Sequence, residues 1–133
     1  MPATFKFELV SPAKVLLSQD IEQAQIPGSD GEFTVMVGHA PVISTLLPGV
    51  VRVTMPDGIK NIYVKGGFVE VTPTSLTVLA ESAFIVDEAD PRQLDKELDA
   101  AHADLKGADS DAARAHVSRA IEELKALVKA KQG

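Results

Sequence analysis

Cysteine is absent from the chain. That excludes a disulfide framework and any thiolate metal site, and it fits a reducing compartment. Tryptophan is absent too, and aromatic residues are only 5% of the sequence, which argues against a platform for stacking nucleic-acid bases. Basic residues are in deficit. Thirteen Lys and Arg face nineteen Asp and Glu, a net charge of −6, the wrong sign for neutralising phosphates, so no nucleic-acid partner is expected. No apolar run approaches the ~20 residues that cross a bilayer. The start, Met1-Pro2-Ala3-Thr4-Phe5-Lys6, has neither the basic stretch nor the apolar run of a secretory leader. Membrane association is therefore expected only through a protein partner, without direct insertion.

Signatures of catalysis are missing as well. His39, His102 and His116 lack the i, i+4 pairing that sets two ligands on one helical face. No Gly-x-Ser-x-Gly elbow presents Ser44 or Ser82 as a nucleophile. Pro27-Gly28-Ser29-Asp30-Gly31 is not followed by Gly-Lys-Ser/Thr, and Gly66-Gly67 opens a strand rather than a helix, so neither reads as a phosphate cradle. No catalytic, cofactor or metal residue is expected. A binding or structural role is.

What the chain does contain is punctuation. From Thr4 to Val86 it is written in period two, the pattern of strands with one buried and one wet face. Phe5, Phe7 and Leu9 alternate with Lys6 and Glu8; Val51, Val53 and Met55 alternate with Arg52 and Thr54; Ile62 and Val64 alternate with Asn61, Tyr63 and Lys65. Breaks fall at Pro12, Pro27 to Gly31, Gly38 to Pro41, Pro48-Gly49, Pro56-Asp57-Gly58, Gly66-Gly67 and Pro73-Thr74-Ser75. About ten short strands at such spacing predict an antiparallel sandwich or barrel. Phe33 to Val37 lies between two of these turn clusters, so Asp30, Glu32 and His39 are expected on turn segments, where binding residues concentrate.

At Asp87 the grammar changes. Asp90 is a good N-cap with Pro91 in the first helical position. Leu94, Leu98, Ala101 and Leu105 form one helical stripe, and Gly107 reads as its left-handed C′ residue. Ser110 caps a second helix whose stripe is Ala113, Val117, Ala120, Ile121, Leu124, Leu127 and Val128. The pair predicts an antiparallel hairpin. The first helix carries a net −2 over Asp90 to Lys106 and the second a net +3 over Ala112 to Lys131, so the two look complementary. Burying a few leucines and many alanines at ~25 cal/mol per Å² hardly offsets the entropy of ordering them. The hairpin is expected to lean on the β half or on a partner.

The central stretch has a further property. Gly28-x-x-Gly31-Glu32, six residues, His39-Ala40-Pro41, six residues, Pro48-Gly49 resembles the signature of the ε subunit of bacterial F-type ATP synthases, called δ in mitochondria. Tyr63 to Val71, Thr77 to Glu81 and Ser118 to Leu124 are similar to further strings of that family. The resemblance covers essentially the whole chain. It implies a β-sandwich over residues 1–87 that binds the γ subunit and the c-ring, then a helical hairpin over 88–133 with a possible regulatory role. It implies a rotor subunit of a proton-translocating synthase, peripheral on the cytoplasmic face of a bacterial inner membrane and non-catalytic in itself.

Residue by residue, the resemblance puts Glu32 and His39, with Asp30 close by, at the end of the sandwich facing the c-ring or γ. Capping of Ala40-Pro41 by His39 is the local alternative. It also offers Arg114, Arg119, Lys125 and Lys129 to acidic loops of the α and β subunits when the hairpin extends; the alternative is that they only pair with the first helix. Some family members bind ATP through Ile-Asp-x-x-Arg at the start of the hairpin. Here Asp90, not arginine, stands three residues after Asp87, Gln93 three after that, and Arg92 is at the wrong spacing, so weak or absent ATP binding is expected. A free-standing nucleotide-sensing module is the second reading, and it predicts a monomer rather than co-purification with γ and c subunits.

Overall fold

The computed structural model describes residues 3–28 and 31–132. Ten strands run from Phe5 to Ile85: β1 Phe5–Val10, β2 Val15–Ile21, β3 Gln23–Gly28, β4 Gly31–Met36, β5 Val42–Leu46, β6 Gly49–Met55, β7 Gly58–Val64, β8 Gly67–Thr72, β9 Ser75–Ala80 and β10 Ala83–Ile85. A single 3-10 turn, Val86–Glu88, leads to α1 Pro91–Gly107 and α2 Asp111–Gln132. The expected mixed class, a β-sandwich followed by a two-helix hairpin, is what the chain forms.

One continuous ladder makes both layers. β4, β3, β6, β7 and β10 lie side by side, and β5, β8, β9, β1 and β2 form the other layer. Among the described residues they pair at Gly28 opposite Leu46, beside which Leu47 N–H donates to Pro27 O at 2.8 Å. The chain crosses back between layers at Glu22, whose N–H donates to Thr54 O at 2.7 Å. Among the described residues every pairing is antiparallel except β1 with β9. That exception follows from order, since β1 enters the sheet beside the last strand of its layer. Gly67, at φ +122°, marks the bend into β8; a Cβ there would clash with Leu79 O, so only glycine fits.

Period two does what it predicts between the layers. Phe7, Leu9, Ile21, Val35, Val51, Val53, Ile62, Leu76 and Val78 are fully buried in one core. A second cluster lies outside the sandwich. Val50 of β6, Tyr63 of β7 and Phe84 of β10 stand side by side on the outer face, since Val50 and Phe84 both pair with Tyr63 in register. The Tyr63 and Phe84 rings are 5.7 Å apart. Val86, Ala89, Leu94, Ala120, Leu124 and Val128 close over them. The hairpin leans on the β half, as its thin apolar stripe requires.

Asp90 caps α1 by accepting from Gln93 N–H at 2.8 Å, and Ser110 Oγ accepts from Ala113 N–H at 3.0 Å. Gly107 departs from expectation. It ends α1 without a positive φ, and the chain leaves at Ala108 with φ −67° and ψ 131°. An extended exit reaches the Ser110 cap directly, so no left-handed residue is needed.

Candidate functional site

Glu32 is the second residue of β4, opposite Pro27, rather than part of a turn. Its carboxylate is exposed at the tip of the sandwich. His39 does lie in a turn, and its Nδ1–H donates to Ala40 O at 2.7 Å, so it makes the local cap. The chain folds back at Gly38, held by Gly38 N–H to Pro73 O at 2.8 Å, and brings the His39 ring to 6.3 Å from Phe33. Glu32, Phe33, His39, Val42 and Ser44 thereby share one open groove with the backbone of Gly28 and Gly31. Asp30 falls outside the described residues.

A rim of polar contacts ties the hairpin down. Asn61 N–H donates to Asp87 Oδ2 at 2.6 Å. Lys60 pairs with Glu88 at 3.1 Å, and Lys65 reaches both Glu97 and Asp104 of α1 at 3.7 Å. From α2, Arg119 spans Glu123 of its own helix at 3.5 Å and Glu32 of the sandwich at 3.8 Å. Burial raises the Glu123 carboxyl above its usual range, although Arg119 pulls it back and Val50 supplies a backbone hydrogen bond. Burial also pushes the Tyr63 phenol up to about 12, helped by the nearby carboxylates of Asp104, Glu97 and Glu123.

Arg114, Arg119, Lys125 and Lys129 of α2 do not act together. Arg114 bonds Asp111 and Ala108 O, which closes the turn between the helices. Lys125 pairs with Glu122 of the same helix at 3.8 Å, and Lys129 has no ion pair among the described residues. Only Arg119 faces the sandwich. Among the described residues no ion pair joins α1 to α2, so their opposite net charges are not matched by direct contacts. The Arg114, Lys125 and Lys129 side chains are exposed, while the apolar stripe of α2 faces Tyr63.

Among the described residues, nothing covers the opposite face of the sandwich. In register, Thr45, Phe68, Leu79, Val10 and Val15 form a row across β5, β8, β9, β1 and β2. Phe68 is 56% exposed, Leu79 46% and Val15 55%, and Ile43 on the next row is 71% exposed. Sequence reasoning passed over this row because it follows only the buried phase of each strand. The signal was there in adjacent apolar pairs such as Val42-Ile43, Phe68-Val69 and Val78-Leu79, which put apolar side chains on both faces.

Comparison with known proteins agrees with this architecture. The family description "ATP synthase, Delta/Epsilon chain, beta-sandwich domain" matches residues 4–86. The chain belongs to this ATP synthase delta/epsilon family. Proteins called ATP synthase epsilon chain in Sinorhizobium medicae and Brucella canis are 44% and 42% identical to it. Each alignment covers 96% of this chain and 95% of the relative. A chain of the Euglena gracilis mitochondrial ATP synthase, solved with its c-ring in rotational state 1, superposes with a TM-score of 0.67. It is 26% identical, with 98% of this chain and 82% of that chain covered. A chain of the Tetrahymena thermophila mitochondrial ATP synthase central stalk and c-ring shares the fold, with a TM-score of 0.58 at 16% identity and 98% of each chain covered. Among the described residues, no helix of this family member is long and apolar enough to cross a membrane.

Proposed function

We propose that this delta/epsilon-family chain is a central-stalk subunit that transmits rotation between the proton-driven c-ring and the catalytic head, by contact and without chemistry of its own. Residues 1–87 are the coupling part, which binds γ and the c-ring, and residues 88–133 are the regulatory part. Attachment is peripheral, at the cytoplasmic face of a bacterial inner membrane. The observation that carries the reading is the bare outer row of Phe68, Leu79 and Val15, with Ile43 beside it. Contiguous exposed apolar surface on a small chain marks a protein interface. We assign this face to γ, and the Asp30, Glu32 and His39 end to the polar loops of the c-ring.

The regulatory half rests on how the hairpin is held. Its seat is a small apolar cluster with a rim of half-exposed ion pairs, the kind of unit that opens before the rest of a fold. Arg114, Lys125 and Lys129 have no partner on the sandwich among the described residues, which leaves them to acidic loops of the α and β subunits when the hairpin lifts. Nucleotide binding by the hairpin is weak or absent in this reading, because Asp90 stands where the family motif has arginine and its carboxylate caps α1.

The test is assembly. A rotor built from γ, the c-ring and the Ile43→Asp/Phe68→Asp chain should lose the chain on purification, because each charge would be desolvated against an apolar partner. Retention at the wild-type level would overturn the assignment of that face. For the hairpin, a chain ending at Asp87 should raise ATP hydrolysis by the assembled synthase several-fold while ATP-driven proton pumping survives. Unchanged hydrolysis would make the hairpin a passive cover.

A further inference from the structure

The two sets of residues that the sequence placed in different jobs meet at one atom pair. Glu32 belongs to the tip of the sandwich and Arg119 to α2, yet Arg119 Nη2 lies 3.8 Å from Glu32 Oε2. The same guanidinium reaches Glu123 Oε1 through Nε at 3.5 Å. Gly28, Glu32, Pro48, His116, Arg119 and Glu123 line the cleft between tip and helix. One cation here serves two carboxylates, so Glu32 is only partly neutralised. Its side chain is still 43% exposed, and it opens on the other side into the groove it shares with His39. Glu123 is the more buried of the two acids and its contact with Arg119 is the shorter, so it has the stronger claim on the guanidinium.

We infer that Glu32 is a shared carboxylate, held by Arg119 when α2 is seated and by a basic group of the rotor partner when the tip is engaged, so that the two events oppose each other. The inference rests on the reading of Glu32 as a partner contact. A lysine or arginine arriving at Glu32 comes within a few ångströms of the Arg119 guanidinium, and two cations at that separation repel. The partner must therefore displace Arg119, and α2 loses its only described ion pair to the sandwich. Linkage makes this reciprocal: the factor by which the partner favours the lifted α2 is the factor by which lifting α2 favours the partner. An exposed pair of this kind supports a modest coupling, of about two- to fivefold.

The experiment measures affinity of full-length variants for a purified rotor of γ and c-ring, with hydrogen exchange of α2 amides read in the free and bound chain. Arg119→Gln should tighten binding about two- to fivefold. Glu32→Gln should weaken it, and in that background Arg119→Gln should change nothing. Lys106→Gln, which removes the same charge from the exposed end of α1, should leave affinity unaltered. In the wild-type complex α2 amides should exchange about two- to fivefold faster than in the free chain. If Glu32→Gln weakens binding but Arg119→Gln does not tighten it, the opposition is wrong and the tip contact stands. If Glu32→Gln has no effect either, the tip contact itself is wrong and the linkage falls with it.

Discussion

The two outer faces of the sandwich are built alike and end differently. On one, Val50, Tyr63 and Phe84 form an apolar row across three strands; on the other, Phe68, Leu79, Val10 and Val15 do the same. The first row is covered by the chain's own hairpin, which leaves Tyr63 2% and Val50 8% exposed. The second leaves Phe68 56% exposed. A sheet with apolar side chains on both faces needs a layer over each. This chain supplies one layer from its own C-terminal half, and none of its described residues supplies the other. Cover from within is tethered and local. Cover from outside exists only in an assembly.

The largest break in that comparison comes from the seat of the hairpin. Leu124 is fully buried on the inner face of α2, and truncation to alanine should weaken docking by about 2–4 kcal/mol. Hydrogen exchange should then accelerate by one to three orders of magnitude in α2 while amides of β1, β8 and β9 keep their protection. Equal acceleration in both regions would mean that hairpin and sandwich open as one unit, and the contrast between internal and external cover would lose its meaning.

Tyr63 offers a chemical route to the same seat. Its phenol titrates near 12 in the folded chain against an ordinary value of 10, because burial and then the Asp104, Glu97 and Glu123 carboxylates disfavour the phenolate. A raised folded value means that this contribution is full below pH 10 and is lost as pH rises through about 12. Thermal melts across that window should show wild type losing about 2 kcal/mol more than Tyr63→Phe. Parallel slopes for the two proteins would show that the phenol is not held under the hairpin.

The inner core and both helices were legible because each answers to a single period. Phe5, Phe7 and Leu9, or Leu94, Leu98 and Ala101, declare one face and the structure buries that face. Caps were legible for the same local reason, as Asp90 and Ser110 need only a neighbour three residues on. Gly107 was misread because its conformation depends on where the chain goes next. Arg119 shows the limit more sharply. Helix-wide charge sums suggested α1 as its partner, whereas Glu32 is 87 positions earlier in the chain and is brought near only by the docking of α2 on β6. Tyr63 is the intermediate case: period two set it on the face opposite Ile62 and Val64, but only the hairpin's position decides that this face is dry.

The smallest effect is the one that separates the two faces most cleanly. Phe68→Thr and Leu79→Thr keep β-compatible side chains while removing apolar surface that already lies in water. Folding gains almost nothing from burying them in the isolated chain, so each change should alter stability by no more than about 0.5 kcal/mol, or about 2 °C in Tm. Val50→Thr, the same chemistry on the covered face, leaves a hydroxyl beneath α2 and should cost about 1–2 kcal/mol. If the Phe68 and Leu79 variants melt as low as the Val50 variant, the second face is already covered in the free chain, by self-association. Sedimentation of the wild-type chain would then show more than a monomer. A monomer with unchanged melting in the Phe68 and Leu79 variants leaves that face as surface that the chain keeps for another protein.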